Sequence, residues 1–234
     1  MAKIFYVEDD INLSYVVKDC LTEAGHEVHH FATGDGALEA FLKFNYDLGI
    51  LDVMLPKLDG FTLVKLIREK NPHIPIIFVS AKAQLEDKLE GLQLGGDDYL
   101  FKPFSIDELL LKIQIFLKRA KAHTLQTLEK LPIYNIGLYV LDPNEMELKI
   151  DQEVIKLTGR ETELLLFFLK NKNRIIKRSE ILIALWGKDD YFLGRSLDVF
   201  ISRLRKFLSE DPAIKIENIP RVGFRFHGQS LKNR

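Results

Sequence analysis

Short apolar runs alternate with longer amphipathic segments over the first half of the chain. The run Leu48–Leu51 contains no polar residue, and Asp52 and then Pro56 follow it. A run this short and continuous is typical of a strand that is buried on both faces of a parallel sheet. Similar runs predict the other strands at Lys3–Val7, Val28–Phe31, Ile76–Val79 and Tyr99–Phe101.

Between these runs, apolar residues recur at the spacing of a helix. Gly25, Pro72 and Gly95 stand where three of the helices are expected to end. The predicted helices span about residues 11–24, 34–44, 60–70, 84–94 and 105–119. Strands that alternate with helices predict right-handed crossovers. We therefore expect an α/β fold with a doubly wound, five-stranded parallel sheet of the flavodoxin-like type.

After Pro132 the pattern changes to short runs separated by turn residues. Antiparallel strands are expected at 133–140, 145–150 and 154–157, and a closing hairpin at 214–219 and 223–226. Three helices are expected between them, beginning at the capping box Thr158–Glu161, at Ser179 and at Ser196. Helices followed by a β-hairpin predict an α+β winged helix-turn-helix domain. The expected division is a first domain at 1–120, a linker at 121–132 and a second domain at 133–230.

Charge divides the chain in the same way. The composition is globular, with 47% hydrophobic and 29% charged residues among 234. Residues 1–120 hold 13 Lys and Arg against 19 Asp and Glu, whereas the rest holds 20 against 15. This asymmetry indicates different partners for the two halves. The lone Cys20, the absence of a signal-peptide pattern and the lack of a run of ~20 apolar residues predict a cytoplasmic protein without membrane insertion.

Polar side chains follow four of the predicted parallel strands. Glu8 and Asp9 follow the first strand, Asp52 the third, Ser80 the fourth and Lys102 the fifth. The carboxyl ends of parallel strands meet at one sheet edge, so these groups are expected to form one pocket. Oxygen ligands without Cys or His favour a hard cation such as Mg²⁺. A carboxylate beside Mg²⁺, a lysine and a hydroxyl is suited to form an aspartyl phosphate.

The last predicted helix of the second half has one apolar and one basic face. Its inner stripe is expected to contain Leu197, Phe200, Ile201, Leu204 and Leu208. A basic outer face suits the major groove of double-stranded DNA, in which an arginine pairs with guanine. The residues of this helix that are expected to contact DNA are Arg195, Ser196, Ser202, Arg203 and Lys206.

The motifs of the first half resemble the receiver domain of two-component response regulators. They are Val-Glu8-Asp9-Asp10, Leu-Asp52-Val-Met-Leu-Pro56, Val-Ser80-Ala81 and Asp98-Tyr99 with Lys102-Pro103-Phe104. The resemblance implies that Asp52 accepts a phosphoryl group from a sensor histidine kinase. It also implies that Glu8, Asp9, Asp52 and the carbonyl of Met54 hold Mg²⁺, with Asp9 as a direct ligand. Lys102 is expected to contact the phosphoryl oxygens, and Ser80 and Tyr99 are expected to form a switch pair. The bond between Lys102 and Pro103 is cis in that family.

The second half resembles the winged-helix effector domain of OmpR/PhoB-like regulators. The resemblance rests on Leu157-Thr-Gly-Arg-Glu161, Leu197-Asp-Val-Phe-Ile-Ser-Arg-Leu-Arg-Lys206 and Val222-Gly-Phe-Arg-Phe226. It implies that the third helix reads the major groove, that the wing reaches the minor groove, and that the loop 187–194 can touch RNA polymerase. One departure is Pro220-Arg221, where the family wing often has an Arg-Gly pair. Arg221 is expected to take over the phosphate or minor-groove contact of the wing with DNA.

The fourth and fifth helices resemble the face through which such receivers form a homodimer on activation. The expected pairs are Lys88 with Glu108, Asp98 with Lys112, and Asp97 with Arg119, beside Leu89, Leu92 and Leu110 or Leu111. Lys112 stands where arginine is usual, which removes bidentate pairing there.

The leading hypothesis is therefore a phosphorylation-dependent transcription regulator rather than an enzyme. One alternative is a regulator that binds DNA without phosphorylation. Another is a phosphotransfer enzyme with an aspartate nucleophile, although such enzymes often carry a second Asp where Met54 stands. A flavodoxin-like nucleotide binder is disfavoured, because no Gly-rich phosphate loop follows the first strand.

Overall fold

The computed structural model describes residues 1–81, 84–125, 131–187, 191–228 and 230–232. The chain divides into two compact units, Met1–Thr124 and Leu125–Arg234. Within the described residues, no helix combines the length and the apolar character needed to cross a bilayer.

The first unit is a five-stranded parallel sheet with helices on both faces. Its strands are β1 Lys3–Val7, β2 Glu27–Phe31, β3 Leu48–Asp52, β4 Ile76–Ser80 and β5 Asp98–Phe101. Its helices are α1 Ile11–Glu23, α2 Gly34–Lys43, α3 Gly60–Lys70, α4 Leu85–Gln93 and α5 Ile106–Leu125. The strand order β2-β1-β3-β4-β5 confirms the doubly wound, flavodoxin-like prediction.

Side chains of each strand alternate between two apolar cores, one on each face of the sheet. Phe5 and Leu51 belong to one core, whereas Ile4 and Ile50 belong to the other. Because both faces are covered, all of β3 is buried. This places the end of β3 beside the end of β1, at the point where the strand order reverses and where ligands bind in such sheets.

Within its described residues, the second unit contains two antiparallel sheets and three helices. Its strands are β6 Tyr134–Ile136, β7 Tyr139–Asp142, β8 Glu147–Ile150, β9 Glu153–Lys156, β10 Ile175–Lys177, β11 Lys215–Ile219, β12 Gly223–His227 and β13 Ser230–Lys232. Its helices are α6 Gly159–Lys170, α7 Arg178–Trp186 and α8 Tyr191–Phe207. One sheet has the order β13-β6-β7-β8-β9 and the other has the order β10-β12-β11.

Several boundaries in this unit differ from the predictions. The strand expected at 133–140 is a hairpin of β6 and β7, which turns at Gly137 with φ +57°. A Cβ at Gly137 would lie 2.0 Å from Asp211 Oδ2, so the turn requires glycine. Helix α7 begins at Arg178 after Lys177, not at Ser179, because the strand β10 precedes it directly.

Helix α8 begins at Tyr191 instead of Ser196, so Gly194 lies inside a helix rather than in a loop. The loop expected at 187–194 is therefore shorter, and its residues 188–190 lie outside the described residues. Helix α5 likewise continues to Leu125, into the stretch that was expected to be a linker, while 126–130 are outside the described residues.

Candidate functional site

Asp52 is the last residue of β3 and is 5% exposed. Its Oδ1 accepts a hydrogen bond of 2.9 Å from the backbone N–H of Met54. Its Oδ2 lies 2.5 Å from Lys102 Nζ, which donates to it. The carboxylate is therefore held in a fixed orientation at the carboxyl edge of the sheet.

Lys102 follows β5 and links two of the carboxylates. Its Nζ also donates to Glu8 Oε1 at 2.7 Å. Burial by itself would lower the pKa of Lys102, but the hydrogen bonds to Asp52 and Glu8 outweigh burial and raise it. Lys102 therefore stays charged. The peptide bond between Lys102 and Pro103 is cis, as the resemblance implied.

Glu8, Asp9 and Asp52 each offer one carboxylate oxygen, and these oxygens lie within 4.8 Å of one another. Glu8 is buried, and burial raises the pKa of its carboxyl group. Its second oxygen, Oε2, is also buried and has no hydrogen-bond partner among the described residues. A buried oxygen without a partner is costly unless something binds it. This oxygen-only set fits Mg²⁺ in its ligand type.

Ser80 and Tyr99, the predicted switch pair, are buried on neighbouring strands, with Ser80 at the end of β4 and Tyr99 near the start of β5. Burial raises the pKa of Tyr99 to about 12, and a hydrogen bond with Ser80 opposes this shift. The ring centroid of Tyr99 lies 5.2 Å from that of Phe101 and 6.0 Å from that of Phe78. The tyrosine ring thus lies inside the fold, in contact with the serine.

The structure changes the predicted dimer face at two positions. Leu92 is 0% exposed, so the expectation that it contributes to an exposed apolar surface is wrong. Asp97 is also buried, and it accepts hydrogen bonds from Arg68 Nη2 at 2.8 Å and from the backbone N–H of Ile76 at 2.9 Å. The side chain of its expected partner Arg119 lies outside the described part of the chain.

Other residues of that face pair within the chain. Asp98 accepts a hydrogen bond of 2.6 Å from Lys112. Lys88 is buried, and its Nζ lies 6.0 Å from the centroid of the Phe101 ring. Leu89 and Glu108 are half-buried.

Arg68 is a residue that the sequence did not single out. Its guanidinium donates to the carbonyl of Gly95 from Nε at 2.9 Å and from Nη2 at 2.6 Å, and to the carbonyl of Ile74 from Nη1 at 2.6 Å. Together with its bond to Asp97, these contacts join the end of α3 to the segments before β4 and β5. A basic residue in the last turn of a helix is common, so nothing in the sequence marked this role.

The predicted DNA-contacting residues of α8 divide into two groups. Arg195, Ser202 and Lys206 are exposed. Ser196 is 1% exposed, so its assignment to the DNA-facing surface is wrong. The reason is that Ser196 lies one turn before the buried Phe200, on the same side of α8, and so belongs to the packed side of the helix.

Arg203 is also held inside this unit. Its Nε lies 2.7 Å from Glu161 Oε1, the arginine side chain is 19% exposed, and the glutamate is 0% exposed. Glu161 additionally accepts a hydrogen bond of 2.7 Å from the N–H of Thr158 as part of the capping box that begins α6. The ion pair joins the start of α6 to α8, so Arg203, which was expected to contact DNA, has a structural partner within its own unit.

The turn of the wing lies between β11 and β12. The N–H of Val222 donates to the carbonyl of Ile219 at 3.0 Å, which defines a β-turn with Pro220 and Arg221 at its centre. Arg221 is exposed and has φ +62°, a conformation that favours glycine. Arg221 therefore occupies the position at which a glycine is usual, at the tip of the wing.

Comparison with known proteins assigns one family to each of the two units. Residues 4–114 match the family described as response regulator receiver domain, and residues 151–226 match the family described as transcriptional regulatory protein, C terminal. The chain is 40% identical to the transcriptional regulatory protein RprY of Bacteroides fragilis, over 95% of this chain and 93% of RprY. It is 36% identical to the transcriptional regulatory protein CiaR of Streptococcus pneumoniae, over 96% and 97%.

Solved structures also match both units, and DrrB is an example. The crystal structure of DrrB from Thermotoga maritima, described as an OmpR/PhoB homologue, is 31% identical, covers 97% of this chain and 100% of DrrB, and has a TM-score of 0.50.

Proposed function

Because this chain belongs to the OmpR/PhoB-like family of response regulators, we propose that phosphorylation of Asp52 controls its binding to promoter DNA. The convergence of three carboxylates and Lys102 on one sheet edge carries the proposal. An uncompensated cluster of acidic groups would destabilise the fold. A bound cation would compensate the negative charge, and the cluster would then serve phosphoryl transfer.

The donor in this proposal is a phosphohistidine of a sensor histidine kinase. A carboxylate oxygen of Asp52 attacks the phosphorus, the new P–O bond forms, and the P–N bond to the donor imidazole breaks. Lys102 lies where its charge stabilises the phosphoryl oxygens, because its Nζ already contacts Asp52 Oδ2. The backbone N–H of Met54 keeps the carboxylate oriented for attack.

Glu8, Asp9, Asp52 and the carbonyl of Met54 would hold the Mg²⁺ ion. When bound, the ion neutralises charge on the transferred phosphoryl group. Glu8 contributes the buried oxygen that has no partner among the described residues. Lys102 would then share Glu8 and Asp52 with the ion, so it would shift towards the phosphoryl oxygens.

Phosphorylation would act on the rest of the molecule through Ser80 and Tyr99. The Ser80 hydroxyl would donate to a phosphoryl oxygen and give up its hydrogen bond with Tyr99. The face formed by α4, β5 and α5 would then form a homodimer. Asp98 and Lys112 already form an ion pair within one chain. They would stabilise a dimer only if each residue exchanged its partner for the corresponding residue of the second chain.

The second unit would bind double-stranded DNA with α8 in the major groove and the wing in the minor groove. Arg195, Ser202 and Lys206 are the exposed residues of α8 that support this arrangement. The loop before α8 is the proposed contact to RNA polymerase.

The phosphate mimic beryllium trifluoride tests the complete proposal. With Mg²⁺ present, we expect it to convert monomer to dimer in sedimentation velocity. In genome-wide binding experiments, strains with the kinase active are expected to show occupied promoters that are lost when Asp52 cannot be phosphorylated. The same sedimentation profile with and without the mimic, together with unchanged promoter occupancy, would show that DNA binding is independent of phosphorylation.

Substitution of Ser80 by alanine tests the switch separately from the chemistry. We expect Ser80→Ala to accept a phosphoryl group from a small phosphodonor as fully as the wild type. A hydrogen bond to a charged group contributes about 1.5–3 kcal/mol, so dimerisation on phosphorylation should weaken by roughly 10- to 100-fold. The measurement is sedimentation of both proteins with beryllium trifluoride. A Ser80→Ala protein that dimerises normally contradicts this role.

Substitution of Arg221 by alanine tests the wing. We expect lower affinity for every DNA sequence and a slope of log K against log salt that is flatter by ~1. The reason is that the variant lacks one positive charge in contact with a DNA phosphate or with the minor groove. The matched control is Lys170→Ala, an exposed cation at the end of α6. Titrations of specific and random duplexes at several salt concentrations measure both. A loss confined to one sequence would assign Arg221 to base recognition instead.

A further inference from the structure

Tyr6 carries a hydroxyl group that the proposed function does not use. The residue belongs to β1, is 1% exposed and packs in the apolar core on one face of the sheet. Its hydroxyl oxygen is buried and has no hydrogen-bond partner among the described residues. The ring of a phenylalanine would fill the same space. The hydroxyl therefore requires an explanation, because a buried polar group without a partner destabilises a fold.

Glu8, a proposed ligand of Mg²⁺, has the complementary group. Its Oε1 accepts hydrogen bonds from Lys102 Nζ at 2.7 Å and from the backbone N–H of Asp10 at 3.3 Å. Its Oε2 is buried and has no partner in the part of the chain that the structure describes. Tyr6 thus has an unused donor, and Glu8 has an unused acceptor.

The backbone places these two side chains on the same side of the sheet. They are two positions apart, and the N–H of Glu8 donates to the carbonyl of Phe31 at 3.0 Å, which continues the pairing of β1 with β2. Residues at this spacing lie on one face, roughly 7 Å apart, which is within reach of aromatic and long side chains. The ring centroid of Tyr6 is 5.4 Å from that of His30, whose Nε2 donates to the carbonyl of Glu8 at 2.8 Å.

The surroundings of the Tyr6 hydroxyl show which end of β1 it faces. Burial raises the pKa of Tyr6, and nearby carboxylates, first Glu8 and then Asp52, raise it further. Both carboxylates lie at the carboxyl edge of the sheet, so the hydroxyl faces this edge. The raised pKa also keeps the hydroxyl protonated, and it can therefore donate a hydrogen bond.

We propose that Tyr6 is a positioning residue for Mg²⁺, whose hydroxyl donates to Glu8 Oε2 and orients this carboxylate for the ion. The inference rests on the metal site of the proposed function. Lys102 holds Glu8 through Oε1, the oxygen for which a cation would compete, whereas Tyr6 fixes the carboxylate through its other oxygen. Groups that hydrogen-bond to metal ligands orient them, and their removal typically weakens metal binding by roughly 10- to 100-fold.

Tyr6→Phe tests this role, because it removes the hydroxyl and keeps the ring. Mg²⁺ is titrated into the full-length protein at constant ionic strength, and the amide signal of Met54 in ¹H–¹⁵N NMR spectra reports binding. We expect the dissociation constant for Mg²⁺ to rise about tenfold. Without Mg²⁺, the variant should resist denaturant at least as well as the wild type, because it no longer buries a hydroxyl without a partner. A loss of packing would instead lower the stability of the metal-free protein.

Two further variants complete the test. Tyr15→Phe makes the same substitution at a tyrosine of α1 that is 72% exposed, and it should leave Mg²⁺ binding unchanged. Glu8→Ala removes the acceptor, so adding Tyr6→Phe to it should have no further effect if Tyr6 acts through Glu8. Because Glu8→Ala is expected to bind metal weakly, this pair is compared with Mn²⁺, which takes the same oxygen ligands and broadens the Met54 signal at low occupancy.

Different results would overturn the inference and the metal site. Equal Mg²⁺ affinity of the wild type and Tyr6→Phe would overturn the inference and leave the metal site intact. A wild-type protein without a saturable response to Mg²⁺ would overturn both. If Tyr6→Phe lowers metal affinity as much in the Glu8→Ala background as in the wild type, or lowers the stability of the metal-free protein, Tyr6 acts through packing of the core and the inference is wrong.

Discussion

Replacement of Asp52 by asparagine should abolish phosphorylation. An amide is not a nucleophile, so labelling by a radioactive small phosphodonor in the presence of Mg²⁺ should fall by at least about a thousandfold. The side chain keeps its size, and its carbonyl oxygen can still accept the hydrogen bond from the N–H of Met54. The loss would therefore report chemistry rather than unfolding, which circular dichroism can verify.

Asp10→Asn is the matched control. Asp10 belongs to the same acidic run, but its Oδ1 caps α1 by accepting from the N–H groups of Asn12 and Leu13 at 2.8 and 3.0 Å. Asparagine caps helices equally well. We expect this protein to be labelled like the wild type. Acid-stable label that remains on Asp52→Asn at the wild-type level would refute the assignment of the phosphorylation site.

Replacement of Arg203 by alanine should destabilise the second unit. Glu161 is 0% exposed, and removal of one partner from a buried ion pair costs about 3–5 kcal/mol. Because Arg203 is 19% exposed, we expect the lower end, about 3 kcal/mol, and a melting temperature lower by on the order of 10 °C. DNA affinity should fall equally for all sequences, since the loss acts through folding of the unit.

Arg195→Ala provides the comparison, because it makes the same substitution at an exposed position of α8. It should change the free energy of unfolding by less than about 0.5 kcal/mol and should still weaken DNA binding. Glu161→Gln preserves the capping box. The double variant Glu161→Gln with Arg203→Ala should therefore lose less stability than the sum of the single variants. A stable Arg203→Ala protein with altered base preference would restore the original base-reading assignment.

The residues of the pocket in the first unit can be predicted from the sequence, because the topology of a parallel sheet determines which residues meet there. Asp52, Ser80 and Lys102 each follow a strand, and parallel strands end at one edge. A small error in the predicted length of a helix does not change which residues follow the strands and meet at this edge. The contacts between these side chains, such as the double hydrogen bond of Lys102, depend on rotamers that no pattern specifies.

The face of α8 is harder to predict, because one residue of error rotates a helix by about 100°. The sequence shows Arg203 as one of several basic residues, and it shows Glu161 only as part of a local capping box. The ion pair between them is a tertiary contact between residues far apart in sequence. The three-residue strands β10 and β13 were missed for a related reason, since they are too short to display a period.

Arg205 of α8 protects the edge of a sheet, because it donates to the carbonyl of Ile216 in β11 from Nε at 3.0 Å and from Nη2 at 2.6 Å. Strand β11 is the outer strand in the order β10-β12-β11, and the carbonyl of Ile216 points away from its partner strand. An open carbonyl on an edge strand can recruit a strand from another molecule and begin aggregation. The guanidinium of Arg205 occupies this carbonyl and places a positive charge beside it. A side chain from α8 thereby opposes strand addition at this carbonyl of the edge strand.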